Sequence, residues 1–282
     1  MKMKSIFETR KLWVLHLGVG ASILALLGCG PSGNIGKEKS PPPPPTAKKA
    51  AVPDIIIHIA SVNLVHLSKR IEREDIEKLA GILKREKIDI FAVQAISRYP
   101  EVRNRTDFVD ELAAQAEMRS AFGETISISG RQNGNAIFSA YPIRTTDNTH
   151  YVGSKSTGFE AALQALIDCG ARDVVMVSTQ LPEKSTSDEQ ISCVKTLASF
   201  QKIYDNDPVV IAGNLPRLSI LQSIGFTEDI QPVDVKNPGK NDPPKIWYIN
   251  HQALAPADPR VVETELGPLF VTQFGIFRKP YP

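Results

Sequence analysis

Apolar and polar positions fall into a regular order from Asp54 onward. The run Asp54–Leu64, DIIIHIASVNL, is β-branched and partly alternating, which predicts a strand buried on at least one face. Ile76, Leu79, Ile82 and Leu83 then recur at helical spacing and predict an amphipathic helix over 72–86. Ile88–Ile96, IDIFAVQAI, reads as a second buried strand. Phe108, Leu112 and Ala116 form the inward stripe of a helix over Asp107–Met118. Arg119–Ser129 and Gly134–Ser139 have the character of a hairpin, ending in the turn Tyr141-Pro142-Ile143.

The second half repeats this logic. Ala161–Asp168 and Val174–Gln180 flank Cys169-Gly170-Ala171-Arg172, a second hairpin by its turn chemistry. Ile191, Val194, Leu197 and Phe200 give helical spacing across Asp188–Ile203. Pro208–Gly213 reads as a short apolar strand and Leu218–Ile224 as a short helix. Strands over Lys245–Gln252, Val261–Leu266 and Phe270–Arg278 close the chain. Strand pairs with helices between them predict an α/β class, a four-layer α/β-β/α sandwich of two packed mixed sheets with helices outside.

The first 51 residues follow other rules. A basic segment, Met1–Lys11, precedes the apolar run Leu12–Leu27 and then Gly28-Cys29-Gly30. A helix over that run would reach roughly 24 Å, short of a hydrocarbon core of roughly 30 Å. The layout is that of a signal peptide over 1–28. Leu26-Leu27-Gly28-Cys29 resembles the bacterial lipobox, which implies lipidation of Cys29 and membrane attachment through it. A plain secretory peptide or a short membrane anchor is the alternative. Gly30 after the cysteine is compatible, by the same resemblance, with an exported lipoprotein of the outer membrane or cell surface. Residues 29–51 carry five consecutive prolines and no hydrophobic periodicity, so they predict a disordered, semi-rigid tether. A proline-rich ligand for a partner domain is the other reading. The globular domain then spans 52–282.

Composition narrows the function classes. With 42% hydrophobic and 23% charged residues, the chain is an ordinary globular protein, long enough to bury a core without staples. The whole chain has 33 basic and 31 acidic residues, and residues 1–28 hold four of the first and one of the second. The remainder therefore carries 29 basic and 30 acidic residues, a charge of −1, and offers no basic footprint for nucleic acid. Cys169 and Cys193 are compatible with a disulfide or with two buried thiols. His58, His66, His150 and His251 show no metal-ligand spacing with them.

Five short stretches carry a family resemblance across Ile55–Phe277. Ile59–Leu64 ends near Asn63. Asp89-Ile90-Phe91-Ala92-Val93-Gln94 stands beside a "PDIVALQE" pattern, and Gly134–Ile143, GNAIFSAYPI, beside "GNAILSRYPI". Val177-Ser178-Thr179-Gln180-Leu181 matches the place of "NTHL", and Val209–Asn214 that of "VLAGDFN". In this order they resemble the endonuclease/exonuclease/phosphatase superfamily, the deoxyribonuclease-like metal-dependent phosphodiesterases. The resemblance implies the sandwich fold and in-line attack of a metal-activated water on a phosphodiester.

The residues that this chemistry needs are largely replaced. The metal-binding glutamate position holds Ala95, the phosphate-binding histidine Gln180, and the aspartate and asparagine of "GDFN" are Asn214 and Pro216. Trp247 stands for the aspartate of "IDYI", and the nearest equivalent of the closing "SDH" is Val271-Thr272-Gln273. Asn63 and Asn135 are the polar positions retained. Amides can bind phosphate but carry neither negative charge for a metal nor a proton acceptor near neutral pH. The resemblance thus implies a degenerate member with no cofactor expected, in a binding or structural role with an unknown envelope ligand or protein. The alternative is a divergent Mg- or Mn-dependent phosphodiesterase using Glu160, Asp168, Glu183 or Asp242. Bland roles are open too: Asn63 as a capping amide, Gln180 as a partner for strand-end backbone, Trp247-Tyr248 as packing, and Glu183, Asp188 and Glu189 as a solvated helix start. Because several groups are absent together, Ala95→Glu alone is expected to leave phosphodiester cleavage at background. Turnover by that single variant in a cleavage assay would show a far more intact site.

Overall fold

Strands β1 (Ile55–Asn63) and β2 (Ile90–Arg98) run parallel, with helix α1 (Arg73–Arg85) between them in the chain. The computed structural model describes residues 52–100, 107–151, 158–182, 187–204, 207–215, 230–233, 245–249 and 252–278. Every described residue lies in the compact unit Lys49–Pro282. Cys29, the signal and tether segments up to Ala51, Glu183, Pro216, the expected helix at 218–224, Asp242 and His251 lie outside the described residues.

Helix α2 (Phe108–Ala116) is capped by Asp107, whose carboxylate accepts the Val109 N–H at 2.9 Å and the Asp110 N–H at 3.2 Å. It leads into the hairpin of β3 (Arg119–Ile128) and β4 (Arg131–Ser139). The second sheet begins with β5 (Ile143–His150), β6 (Ala161–Asp168) and β7 (Asp173–Gln180). Helix α3 (Ser187–Ile203) then leads to β8 (Val209–Gly213), parallel to β7. Strands β9 (Ile230–Pro232), β10 (Lys245–Ile249), β11 (Leu254–Val262) and β12 (Leu269–Ile276) complete the chain. The first sheet has the order β11-β12-β1-β2-β4-β3 and the second β5-β6-β7-β8-β10-β9. Both are mixed, so the expected architecture of two packed mixed sheets is the one observed. The sheets do not divide the sequence into halves, because β11 and β12 return to pair beside β1.

Burial follows strand periodicity. Ile57, Ile59, Ile90, Ala92 and Ile137 of the first sheet meet Leu163, Ala165, Met176, Val210 and Ala212 of the second in an inter-sheet core. The alternate residues of the first sheet, including Ala60, Val62, Phe91, Val93 and Phe138, pack against α1 and α2 through Ile76, Leu79, Leu83 and Leu112. On the second sheet Val175, Val177, Val209 and Ile211 pack against Val194, Leu197 and Phe200 of α3. All three cores lie within Lys49–Pro282, which therefore holds what it needs to fold as a unit.

The departures from expectation are at sheet edges. The strand expected over Val261–Leu266 is instead β11, Leu254–Val262, and residues 263–266 leave the ladder for a turn. β11 is an edge strand with Pro256, Pro259 and a register shift between Ala257 and Arg260, where Asp258 has φ +49°. Such residues blunt an exposed edge and erase the alternation by which a strand is read. Edge strand β5, IRTTDNTH, and the three-residue β9 were not expected for the same reason: they bury little and carry no apolar period.

Candidate functional site

The inward-facing files of the central strands change character along their length. In β1 the file reads Ile57, Ile59, Ser61, Asn63, and in β2 Ile90, Ala92, Gln94. In β7 it reads Val174, Met176, Ser178, Gln180, in β8 Val210, Ala212 and then Asn214, and in antiparallel β4, taken backwards, Ile137, Asn135, Asn133. Each file starts apolar and ends polar at the same end of the sandwich, the C-terminal end of the parallel pairs. The result is a buried polar seam between the sheets, with Ser61, Gln94, Asn135 and Ser178 all at 0% exposure.

Hydrogen bonds within the seam are reciprocal. The Ser61 hydroxyl donates to Gln94 Oε1 at 3.2 Å, Gln94 Nε2 donates to Ser178 Oγ at 3.1 Å, and Ser178 donates to the Val93 carbonyl at 3.0 Å. Asn63 Nδ2 donates to Gln180 Oε1 at 2.7 Å, which joins the two sheets at their polar ends, while Asn63 Oδ1 accepts the Val65 N–H at 2.9 Å. Gln180 Nε2 donates to the Leu181 carbonyl at 3.3 Å. Asn214 grips the same Leu181 backbone, accepting its N–H at 2.7 Å and donating to its carbonyl at 3.2 Å. Gly213, φ +154°, precedes it; a Cβ there would collide with the Thr179 carbonyl, so the close approach of β7 and β8 requires glycine.

Ala95 sits in the left-handed region at φ +58°. The β2–β4 register passes from Val93↔Ala136 to Ile96↔Gly134, so Gln94 and Ala95 together oppose Asn135. This bulge takes the Ala95 N–H out of the ladder, and Asn135 Oδ1 accepts it at 3.2 Å. The same amide donates across the seam to the carbonyls of Phe159 at 3.2 Å and Ala161 at 3.0 Å. Asn135 is thus a clasp between β4 and the start of β6, with both amide N–H groups and one oxygen lone pair engaged by the fold.

The structure brings together Asn63, Ala95, Asn135, Gln180 and Asn214 but not Trp247 or Gln273. Trp247 pairs with Ile211 and packs in the core under α3, 3% exposed, its indole N–H without a partner among the described residues. Gln273 lies mid-strand opposite His58, five residues back along β1 from Asn63. The chain that arrives beside Asn63 is the turn before β12, residues 264–268, so position 273 does not reach the seam.

Of the four carboxylates weighed as an alternative site, Glu160 comes beside Asn135. It is 3% exposed, and its Oε2 accepts the N–H groups of Gly158 at 2.9 Å and Phe159 at 3.0 Å. Asp168 is at the far end of β6, bound to Arg144 at 2.8 Å. Among the described residues no three His, Cys, Asp or Glu side chains are grouped as a metal would need. A hard divalent cation needs several oxygens, normally with carboxylate charge. Amides already committed to partners, with one carboxylate engaged by backbone, do not meet that need. The phenol of Tyr151 and the thiols of Cys169 and Cys193 are held protonated. Burial pushes the Tyr151 phenol well up, and its hydroxyl lies 2.5 Å from Thr179 Oγ1. Cys169 and Cys193 are free and buried, with thiols pushed up by burial to about 12 and about 11.

Ser61, Gln94 and Ser178 lie inside the stretches that carry the family resemblance, which assigns them no role. A glutamine inside the apolar run FAVQAI is nonetheless a visible sign of a buried polar contact.

With the geometry described, comparison with known proteins places the fold. No protein-family model matches the chain, and no curated protein does. Solved structures do. The endonuclease/exonuclease/phosphatase of Beutenbergia cavernae superposes with a TM-score of 0.62 at 13% identity, covering 79% of this chain and 72% of that one. A Bacteroides vulgatus protein described by the same words gives 0.59 at 10% identity, covering 79% and 99%. Danio rerio TDP2, solved with a single-strand DNA product, gives 0.61 at 13% identity, covering 78% and 99%. The chain has the fold of the endonuclease/exonuclease/phosphatase superfamily.

Removing the clasp tests its structural role. Asn135→Ala deletes three hydrogen bonds and strands the Ala95 N–H, for an expected loss of roughly 3 kcal/mol in denaturant unfolding. A loss under about 1 kcal/mol would mean that the amide is a spectator.

Proposed function

We propose that the chain is a lipid-anchored protein of the cell envelope whose superfamily-type domain binds a ligand or partner without hydrolysing it. One observation carries the non-catalytic part: the amides Asn63, Asn135, Gln180 and Asn214, where the resemblance would place metal and phosphate chemistry, are committed to one another and to backbone. A group that orients a nucleophile needs a free lone pair or proton directed at the reacting atom. The lipobox-like Leu26-Leu27-Gly28-Cys29 and the proline-rich segment after it support attachment through Cys29, with the domain held off the membrane surface. The charge of −1 beyond residue 28 gives no support for nucleic acid as the partner.

One observation favours the second reading, a divergent hydrolase assisted by Mg or Mn. Glu160 is a buried carboxylate next to Asn135, at the edge of the seam.

Calorimetric titration of Lys49–Pro282 with Mg²⁺ and Mn²⁺, beside a phosphodiester cleavage assay on the same sample, separates the two. Neither heat nor turnover is expected. Metal binding with turnover, both lost in Glu160→Gln, would install the hydrolase in its place. For the anchor, Cys29→Ser in the full chain is expected to remove the acyl mass and shift the protein from the membrane to the soluble fraction. An unchanged mass and distribution would leave Cys29 without that role.

A further inference from the structure

Beside the seam lies a cleft of about 480 Å³, walled by the β1–α1 connection, the end of β2 from Ala95 to Tyr99, and the first residue of β4. Its volume is that of a small-molecule site. Leu64, Leu67, Ile71, Ile96, Phe108 and Phe159 give it an apolar and aromatic wall. The charged groups among its described lining residues are all cationic: Lys69, Arg70 and Arg131.

Those three cations differ in what already neutralises them. Lys69 Nζ is 2.7 Å from Asp75 and 3.9 Å from Glu265, so its charge is taken. Arg70 Nε is 3.6 Å from Glu72, with both side chains well exposed, a pair that holds little energy and exchanges readily. The Arg131 side chain, exposed at the start of β4, has no ion pair or hydrogen bond among the described residues. The lining therefore carries two guanidinium groups open to a ligand, Arg70 and Arg131, together with an apolar wall. A guanidinium offers paired N–H donors that match a carboxylate or sulfate, whereas a cation would meet like charge and a neutral polar molecule would desolvate the arginines without compensation. Ala95, with its methyl group in the lining, leaves the floor open.

We propose that this cleft binds an amphiphilic anion, with its carboxylate or sulfate head on Arg70 and Arg131 and its hydrocarbon body along the apolar wall, without a metal ion. The inference deepens the binding reading above and rests on it for the absence of turnover. It needs both halves of the ligand: the head supplies sign selectivity, and the body supplies the buried apolar area.

The test is calorimetric titration of Lys49–Pro282 with octanoate, set against octyltrimethylammonium, octan-1-ol and acetate. Octanoate is expected to bind at least tenfold more tightly than each of the three. The double variant Arg70→Glu/Arg131→Glu changes two exposed side chains, so its circular dichroism should match the parent. It is expected to lose at least tenfold in octanoate affinity while its affinity for octan-1-ol is unchanged. Octanoate binding no better than acetate or octan-1-ol, or equally well after charge reversal, would overturn the proposal. Failure of the non-catalytic reading has a different signature. Metal-dependent phosphodiester turnover would remove that reading and leave the octanoate series intact, whereas a silent octanoate series would leave the metal result untouched.

Discussion

Everything at the polar end of the sandwich depends on burying amides and hydroxyls between two sheets without leaving one unpaired. A buried polar group without a partner costs about 1–3 kcal/mol, and the seam concentrates several of them in one layer. The cost is met because the partners come from opposite sheets: Gln94 of the first bonds Ser178 of the second, and Asn63 bonds Gln180. That reciprocity ties the sheets together in one register. A one-residue slip of β1 or β7 would turn Ser61 or Ser178 toward the helices and bring an apolar neighbour into the seam. The apolar core supplies attraction between the sheets, and the amides select one alignment from the many that attraction alone would tolerate.

Much of this was legible in the chain. The files Ile57-Ile59-Ser61-Asn63 and Val174-Met176-Ser178-Gln180 show a strand period whose inward positions turn polar, and the central strands follow from such periods as the three helices among the described residues follow from helical spacing. The edges were not legible. β5, β9 and β11 lie where one neighbour is missing, so their side chains need no alternation, and prolines and a bulge replace it in β11. The left-handed turn at Ala95 was hidden because it falls on alanine, a residue that carries no signal for that conformation. Gln273 was misplaced for a related reason. Local likeness fixes order along the chain, but only the β1–β12 register shows which residue reaches the seam. The cationic cleft draws on five separated segments, a juxtaposition that no spacing announces.

Fold and residue identity separate clearly in this molecule. The scaffold superposes on solved endonuclease/exonuclease/phosphatase and TDP2 structures at 10–13% identity, a range in which architecture persists while site residues are free to change. The substitutions follow a physical logic. Asn and Gln keep the volume and hydrogen-bonding reach of the acids and histidines that the resemblance would place there, yet bring no charge. A neutral amide can be buried against backbone at low cost, whereas an unpaired carboxylate there would resist burial. Neutral side chains and a closely bonded seam thus go together.

The two internal cysteines lie in different layers, Cys169 between the sheets and Cys193 under α3 on the outer face of the second sheet. The closely packed body of that sheet stands between them, and burial holds both as thiols rather than thiolates. The folded domain therefore presents no thiolate to the oxidants around it. With Cys169 and Cys193 unbonded and both buried, a change in ambient redox potential finds no handle on the finished structure.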